Sequence, residues 1–194
     1  MSFPSATNCS IGSLSLYFSS FASIFPPAIS SPYEKPPGFN GISDTQETTL
    51  YTNDSGKFEC RWVYLKHTSN GKCVFTNGIK EVIYLPVAHG EGKFTTIDEE
   101  TLDALESGNQ VVLRYVGPDG NYAGYPWDPN GSDRHIAGIC DSTGRIFGLM
   151  PHPERHLSKY SHPRWTREEL PEEGDGLAIF RNAVEYAQRE LCSS

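Results

Sequence analysis

The stretch Ala137–His156 reads AGICDSTGRIFGLMPHPERH, and it decides the fold. Two apolar runs, AGIC and RIFGLM, flank the polar turn DSTG, which predicts two strands joined as a hairpin. Cys140 stands in the first strand, and the second runs into His152-Pro153-Glu154. Cysteine, histidine and glutamate are the parts of a nucleophilic triad, so the stretch poses a question: a whole active site, or part of one.

Geometry argues for part of one. A cysteine nucleophile needs a lowered thiol pKa and a base in hydrogen-bond reach. A nucleophile elbow of the G-x-C-x-G type turns from strand to helix. Gly138-Ile139-Cys140-Asp141-Ser142 lacks the second glycine, and another strand follows it. Asp141 disfavours a neighbouring thiolate. An extended Arg145–His152 spans roughly 20 Å, whereas proton transfer needs about 3 Å. Cys140 is therefore expected to be a strand residue and no nucleophile. His152 and Glu154, at i and i+2 of an extended segment, share one side, and a histidine backed by a carboxylate is a base held in one tautomer. The rival reading is a metallohydrolase using His152 and His156, with Glu154 and His162 as further ligands. It is weakened because H-E-x-x-H chemistry needs a helix that Pro153 resists.

Working outward, EVIYLPVAHGEGKF predicts a strand over Val82–Ala88 that enters a glycine-rich loop. FECRWVYLKH (Phe58–His67) and QVVLRYV (Gln110–Val116) read as strands, rich in aromatic and β-branched residues. IDEETLDALESGN predicts a helix capped by Asp98, with Leu102 and Leu105 on one face and Gly108 at its end. Asp175–Leu191 predicts an amphipathic helix whose face is Leu177, Phe180, Val184, Ala187 and Leu191. The fold class is α/β. Residues 1–47 differ: the first 33 carry no charge, Pro26-Pro27 and Pro36-Pro37 break helices, and no signal-peptide pattern fits. They predict an irregular leader, with the domain over 48–194.

The 194 residues suit one domain. A net charge of -8 gives no footprint for nucleic acid or an anionic membrane, and no apolar run is long enough to span a bilayer. Five irregularly spaced cysteines suggest free thiols and a cytoplasmic setting.

GLMPHPERH, with NDSGKFECRW, YLPVAHGEGKF, YPWDPNGSDRHIAGIC and the closing EGDGLAIFRNAV, resembles the glutaminase part of the phosphoribosylformylglycinamidine synthases, which are class I glutamine amidotransferases of purine biosynthesis. The resemblance runs from about Thr48 to Cys192. It implies a flavodoxin-like three-layer sandwich, glutamine as substrate, and ammonia delivery to a synthetase subunit that uses ATP and Mg²⁺. It implies that His152 and Glu154 belong to a Cys-His-Glu triad, and that His89, Gly90 and Glu91 help hold glutamine. The family's nucleophile elbow, which precedes the NDSG block, has no counterpart in residues 1–47, and Cys9 in ATNCS does not match it. The resemblance therefore implies a domain lacking its N-terminal strands, inactive alone, with no metal or cofactor of its own. The alternative is a non-catalytic module that docks on the synthetase.

Overall fold

The computed structural model describes residues 15–18, 47–69 and 71–191. Six strands form the main sheet: β1 (Ser15–Phe18), β3 (Glu59–His67), β4 (Val82–His89), β6 (Val111–Val116), β7 (Ile136–Cys140) and β8 (Ile146–Leu149). Their order is β1-β8-β7-β6-β3-β4. Strands β2 (Thr48–Tyr51) and β5 (Lys93–Thr96) pair antiparallel as a separate ribbon. Two helices complete the chain, α1 (Glu99–Ser107) and α2 (Leu177–Leu191).

Both faces of the sheet are buried. Neighbouring strand residues point to opposite faces, and Val111/Val112 and Ile139/Cys140 divide between two apolar clusters. One cluster holds Val63, Leu65, Leu85, Phe75, Phe147 and Ile179 of α2. The other holds Phe94, Ile136, Met150 and Leu102 of α1. Asp98 caps α1 by accepting from the Thr101 amide at 2.8 Å.

The sheet also curls. β8 and β4 stand four places apart in the strand order. In a flat sheet they would lie ~19 Å apart at about 4.8 Å per strand. Yet His152, three residues past Leu149, donates its amide to the Pro86 carbonyl of β4 at 2.8 Å. Three residues reach at most ~10 Å, so the sheet bends to bring its ends together. This bend carries the PHPERH segment across to β4.

Among the described strand pairs of the main sheet only β1–β8 is parallel, because tight connections such as Asp141–Arg145 between β7 and β8 force antiparallel pairing. Three expectations are corrected. The leader is not wholly irregular: Ser15–Phe18 pairs with Ile146–Leu149, completing the far edge of β8. The rest of residues 1–46, including Cys9 and the search for an elbow there, lies outside the described residues. Helix α2 begins at Leu177 instead of Asp175, whose carboxylate accepts from the Tyr84 amide and from Lys80. Its buried stripe runs through Ile179 and Ala183, while Val184 is 55% exposed. The Asn182 amide sets that rotation by donating to the Phe75 and Asn77 carbonyls.

Candidate active site

The PHPERH segment is not extended. Pro153 opens a single 3-10 turn over Pro153–Arg155, where its missing N–H costs nothing and its fixed φ suits the turn. His152 stands just before that turn with extended φ/ψ. The side-chain contact expected from i, i+2 geometry is present, made by the turn instead: His152 Nδ1 donates to Glu154 Oε1 at 2.7 Å. This bond fixes the proton on Nδ1 and leaves Nε2 as the basic nitrogen. His152 is buried, and Glu154 reaches solvent beside Arg155.

The turn is clamped from two sides. β4 is an edge strand, and Pro86 has no amide to offer a neighbour. The outer edge of β4 is satisfied by the segment itself, through the His152 amide on Pro86 and His156 Nδ1 on the Tyr84 carbonyl at 2.8 Å. From the other side comes EGDG. The Gly176 amide donates to the His156 carbonyl at 2.9 Å, and the Gly174 amide to that of Leu157 at 3.1 Å. A Cβ on Gly176 would stand 2.0 Å from the Pro153 carbonyl oxygen, and one on Gly174 2.4 Å from that of His156. These glycines are required by close backbone approach.

His156 and His162 do not join His152 as metal ligands. Both pack on Trp62, His156 edge-on with centroids 5.0 Å apart. The His156 Nδ1 proton is spent on Tyr84. Among the described residues no group of three His, Cys, Asp or Glu side chains is gathered for a metal.

Cys140 lies opposite Phe147 near the turn end of the hairpin, buried in the core. Its hydrogen bond with Cys73, its burial and the Asp141 charge push its thiol far up, away from a reactive thiolate. Asp141 is spent on the turn, accepting from the amides of Thr143, Arg145 and Ile146.

His89 is a buried residue at the end of β4, paired in register with Glu59. Its Nδ1 lies 2.9 Å from Asn53 Oδ1, and its Nε2 is buried without a partner. Burial pushes its pKa down to about 4, with Glu59 opposing and His152 adding to the shift. His89 is thus a neutral neighbour of His152. Gly90 is half-buried and Glu91 exposed on the loop beyond it.

Residue-by-residue reading of the sequence missed what ties this loop down. Asn130 Nδ2 donates to the Gly92 carbonyl at 2.7 Å and to Tyr115 Oη. Ser132 Oγ accepts from the Phe94 amide at 2.9 Å. The Asp54 amide donates to the Asn130 carbonyl at 3.1 Å. The blocks NDSG, HGEG and PNGS therefore meet in space. Their only sequence signal was polar residues among glycines. Beside them opens a cavity of about 560 Å³ lined by Asp54, Lys57, Tyr125, Asp128, Ser132 and His135. Its His135 Nδ1 lies 2.7 Å from buried Asp128.

Comparison with known proteins agrees with this picture. The chain is 50% identical over 149 residues to the phosphoribosylformylglycinamidine synthase subunit PurQ of Dehalococcoides mccartyi, covering 76% of this chain and 56% of that protein. It is 46% identical over 160 residues to the subunit PurQ of Archaeoglobus fulgidus, covering 79% and 57%. The chain thus spans little more than half the length of these relatives. Among solved structures, that of PurLQS from Thermotoga maritima superposes with a TM-score of 0.53 at 35% identity, covering 73% of this chain and 53% of that one. The model of the CobB/CobQ-like glutamine amidotransferase domain matches residues 33–187, so it starts within the region read as leader and takes in His152 and the NDSG, HGEG and PNGS blocks. On that span, the chain belongs to the CobB/CobQ-like glutamine amidotransferase domain family.

Proposed function

We propose that the chain is the glutaminase component of a phosphoribosylformylglycinamidine synthase and supplies the base half of its triad. The observation that carries this reading is the 2.7 Å bond from His152 to Glu154, clamped on β4. A thiol proton passes to His152 Nε2 as sulfur attacks the glutamine side-chain carbonyl carbon. The C–N bond then breaks, and the same proton leaves on ammonia. Water hydrolyses the resulting thioester to glutamate and restores the thiol. Glu154 holds the tautomer and offsets the imidazolium charge. The HGEG backbone, from His89 through Gly90 and Glu91, holds the substrate.

In this reading none of the described cysteines is the nucleophile, and the described strands are part of a flavodoxin-like sandwich. Ammonia goes to a synthetase subunit in the cytoplasm, which uses ATP and Mg²⁺ to aminate formylglycinamide ribonucleotide. The chain by itself hydrolyses no glutamine above background.

A spliced chain tests this. Residues 48–194 are joined to the remainder of the D. mccartyi relative, and ammonia release from glutamine is measured. The reading expects activity that His152→Ala removes. Activity indifferent to His152→Ala would overturn it.

A further inference from the structure

We propose that Asn53 is the positioning residue that sets the glycine-rich loop Gly90–Gly92 for ligand binding. This rests on the glutaminase reading above and adds a residue to it. Asn53 is 2% exposed, and its side chain uses its full hydrogen-bonding capacity. Nδ2 donates to the Lys57 and His89 carbonyls, both at 2.8 Å. Oδ1 accepts from the Gly92 amide at 3.0 Å and from His89 Nδ1 at 2.9 Å. Its backbone amide donates to the Gly90 carbonyl at 3.0 Å.

One side chain therefore joins the turn at 53–57, the end of β4 and both ends of the HGEG loop. It does so across 36 residues of sequence, where no local propensity can act. The His89 ring is part of the same device. A Cβ on Gly92 would fall 2.3 Å from His89 Nδ1, so the loop packs flat on the ring. With Gly92 held by its amide and carbonyl, and Gly90 by its carbonyl, the loop can hardly shift. Among the described residues, no acceptor takes the Gly90 or Glu91 amide protons. Those two donors, fixed in place by Asn53, suit a carbonyl or carboxylate oxygen of the substrate. Gly90 leaves room for it, since a Cβ there would meet only Phe58, at 3.9 Å.

The experiment uses the ¹⁵N-labelled full chain, with L-glutamine as the probe. In the wild type, the Gly90 and Glu91 amide resonances shift on titration. In Asn53→Ala the half-saturation concentration rises about tenfold or more, while the resonances of α2 stay in place and show that the fold is kept. A second variant, Asn53→Asp, keeps the acceptor and puts a carboxylate against His89 Nδ1. It raises the His89 pKa from about 4 by roughly a unit or more, with the α2 resonances again in place, which separates this rise from the one that unfolding would give. Asn53→Ala titrating like the wild type would overturn the inference and leave the glutaminase reading to the spliced chain. Wild-type amides indifferent to glutamine would also overturn it, and activity of the spliced chain would then judge the reading separately.

Discussion

The two ends of AGICDSTGRIFGLMPHPERH carry similar chemistry and have opposite fates. At one end Cys140 lies next to Asp141, and at the other His152 lies two residues from Glu154. Asp141 is consumed by three amides of its own turn, while the cysteine faces Cys73 and the apolar core. Glu154 instead meets the histidine ring at 2.7 Å, on a turn suspended between β4 and the EGDG glycines. In the glutaminase reading proposed above, residue type does not separate a reactive group from an inert one. What separates them is where the acid spends its oxygens, and whether the backbone is clamped against other elements or folded onto itself.

The contrast can be broken most sharply in the spliced chain. His152→Ala is expected to lower glutamine hydrolysis by ~10²–10⁴-fold. Glu154→Gln, which loses the anionic partner but keeps the shape, falls by about 10²-fold. Equal activity of either variant and the parent would remove the basis for calling this end the catalytic one.

Acid should separate the two ends next. His89, beside His152, has a pKa of about 4 in the folded chain against 6.5 ordinarily. Below pH 6.5 the unfolded chain binds a proton that the fold refuses. The stability is therefore complete above pH 6.5 and falls as pH drops toward 4, by about 3 kcal/mol. Urea unfolding at pH 7 and pH 4 measures it, and His89→Gln should flatten that part of the slope. The hairpin end offers no such titration, because the Cys140 thiol is pushed up and stays protonated.

Glycine substitutions give a smaller contrast. Gly176→Ala puts a methyl group 2.0 Å from the Pro153 carbonyl oxygen, whereas Gly138→Ala in the hairpin meets Leu149 Cδ1 at 3.0 Å and the Gly148 carbonyl oxygen at 3.1 Å. The former should cost ~1–3 kcal/mol and the latter less, read from thermal midpoints. Thiol labelling of the folded chain gives the smallest effect. Iodoacetamide should modify exposed Cys60 and spare buried Cys73 and Cys140, as peptide mass mapping would report.

Much of this was legible in the sequence. Strands β3, β4 and β6 announced themselves as runs rich in β-branched and aromatic residues, and β7 and β8 as apolar runs flanking a polar turn. Asp98 and the leucines announced α1. The hairpin reading of DSTG placed Cys140 in a strand, where the fold has it. Other features were hidden for physical reasons. Strands β2 and β5 are four residues long, too short to show alternation. The rotation of α2 is set by Asn182 reaching carbonyls more than 100 residues away, so the helix's own periodicity pointed to Val184. The curl that brings His152 to Pro86 is a property of the whole sheet. Asn53 looked like any turn asparagine, because its partners Gly92 and His89 are remote in sequence.

The central claim is that the chain's chemistry resides in the His152–Glu154 turn and that Cys140 belongs to the core. The most direct test is glutamine hydrolysis by the spliced chain carrying Cys140→Ser. The account predicts ammonia release unchanged to within about threefold, under 1 kcal/mol of barrier. Abolition of ammonia release, with the fold intact by circular dichroism, would contradict it.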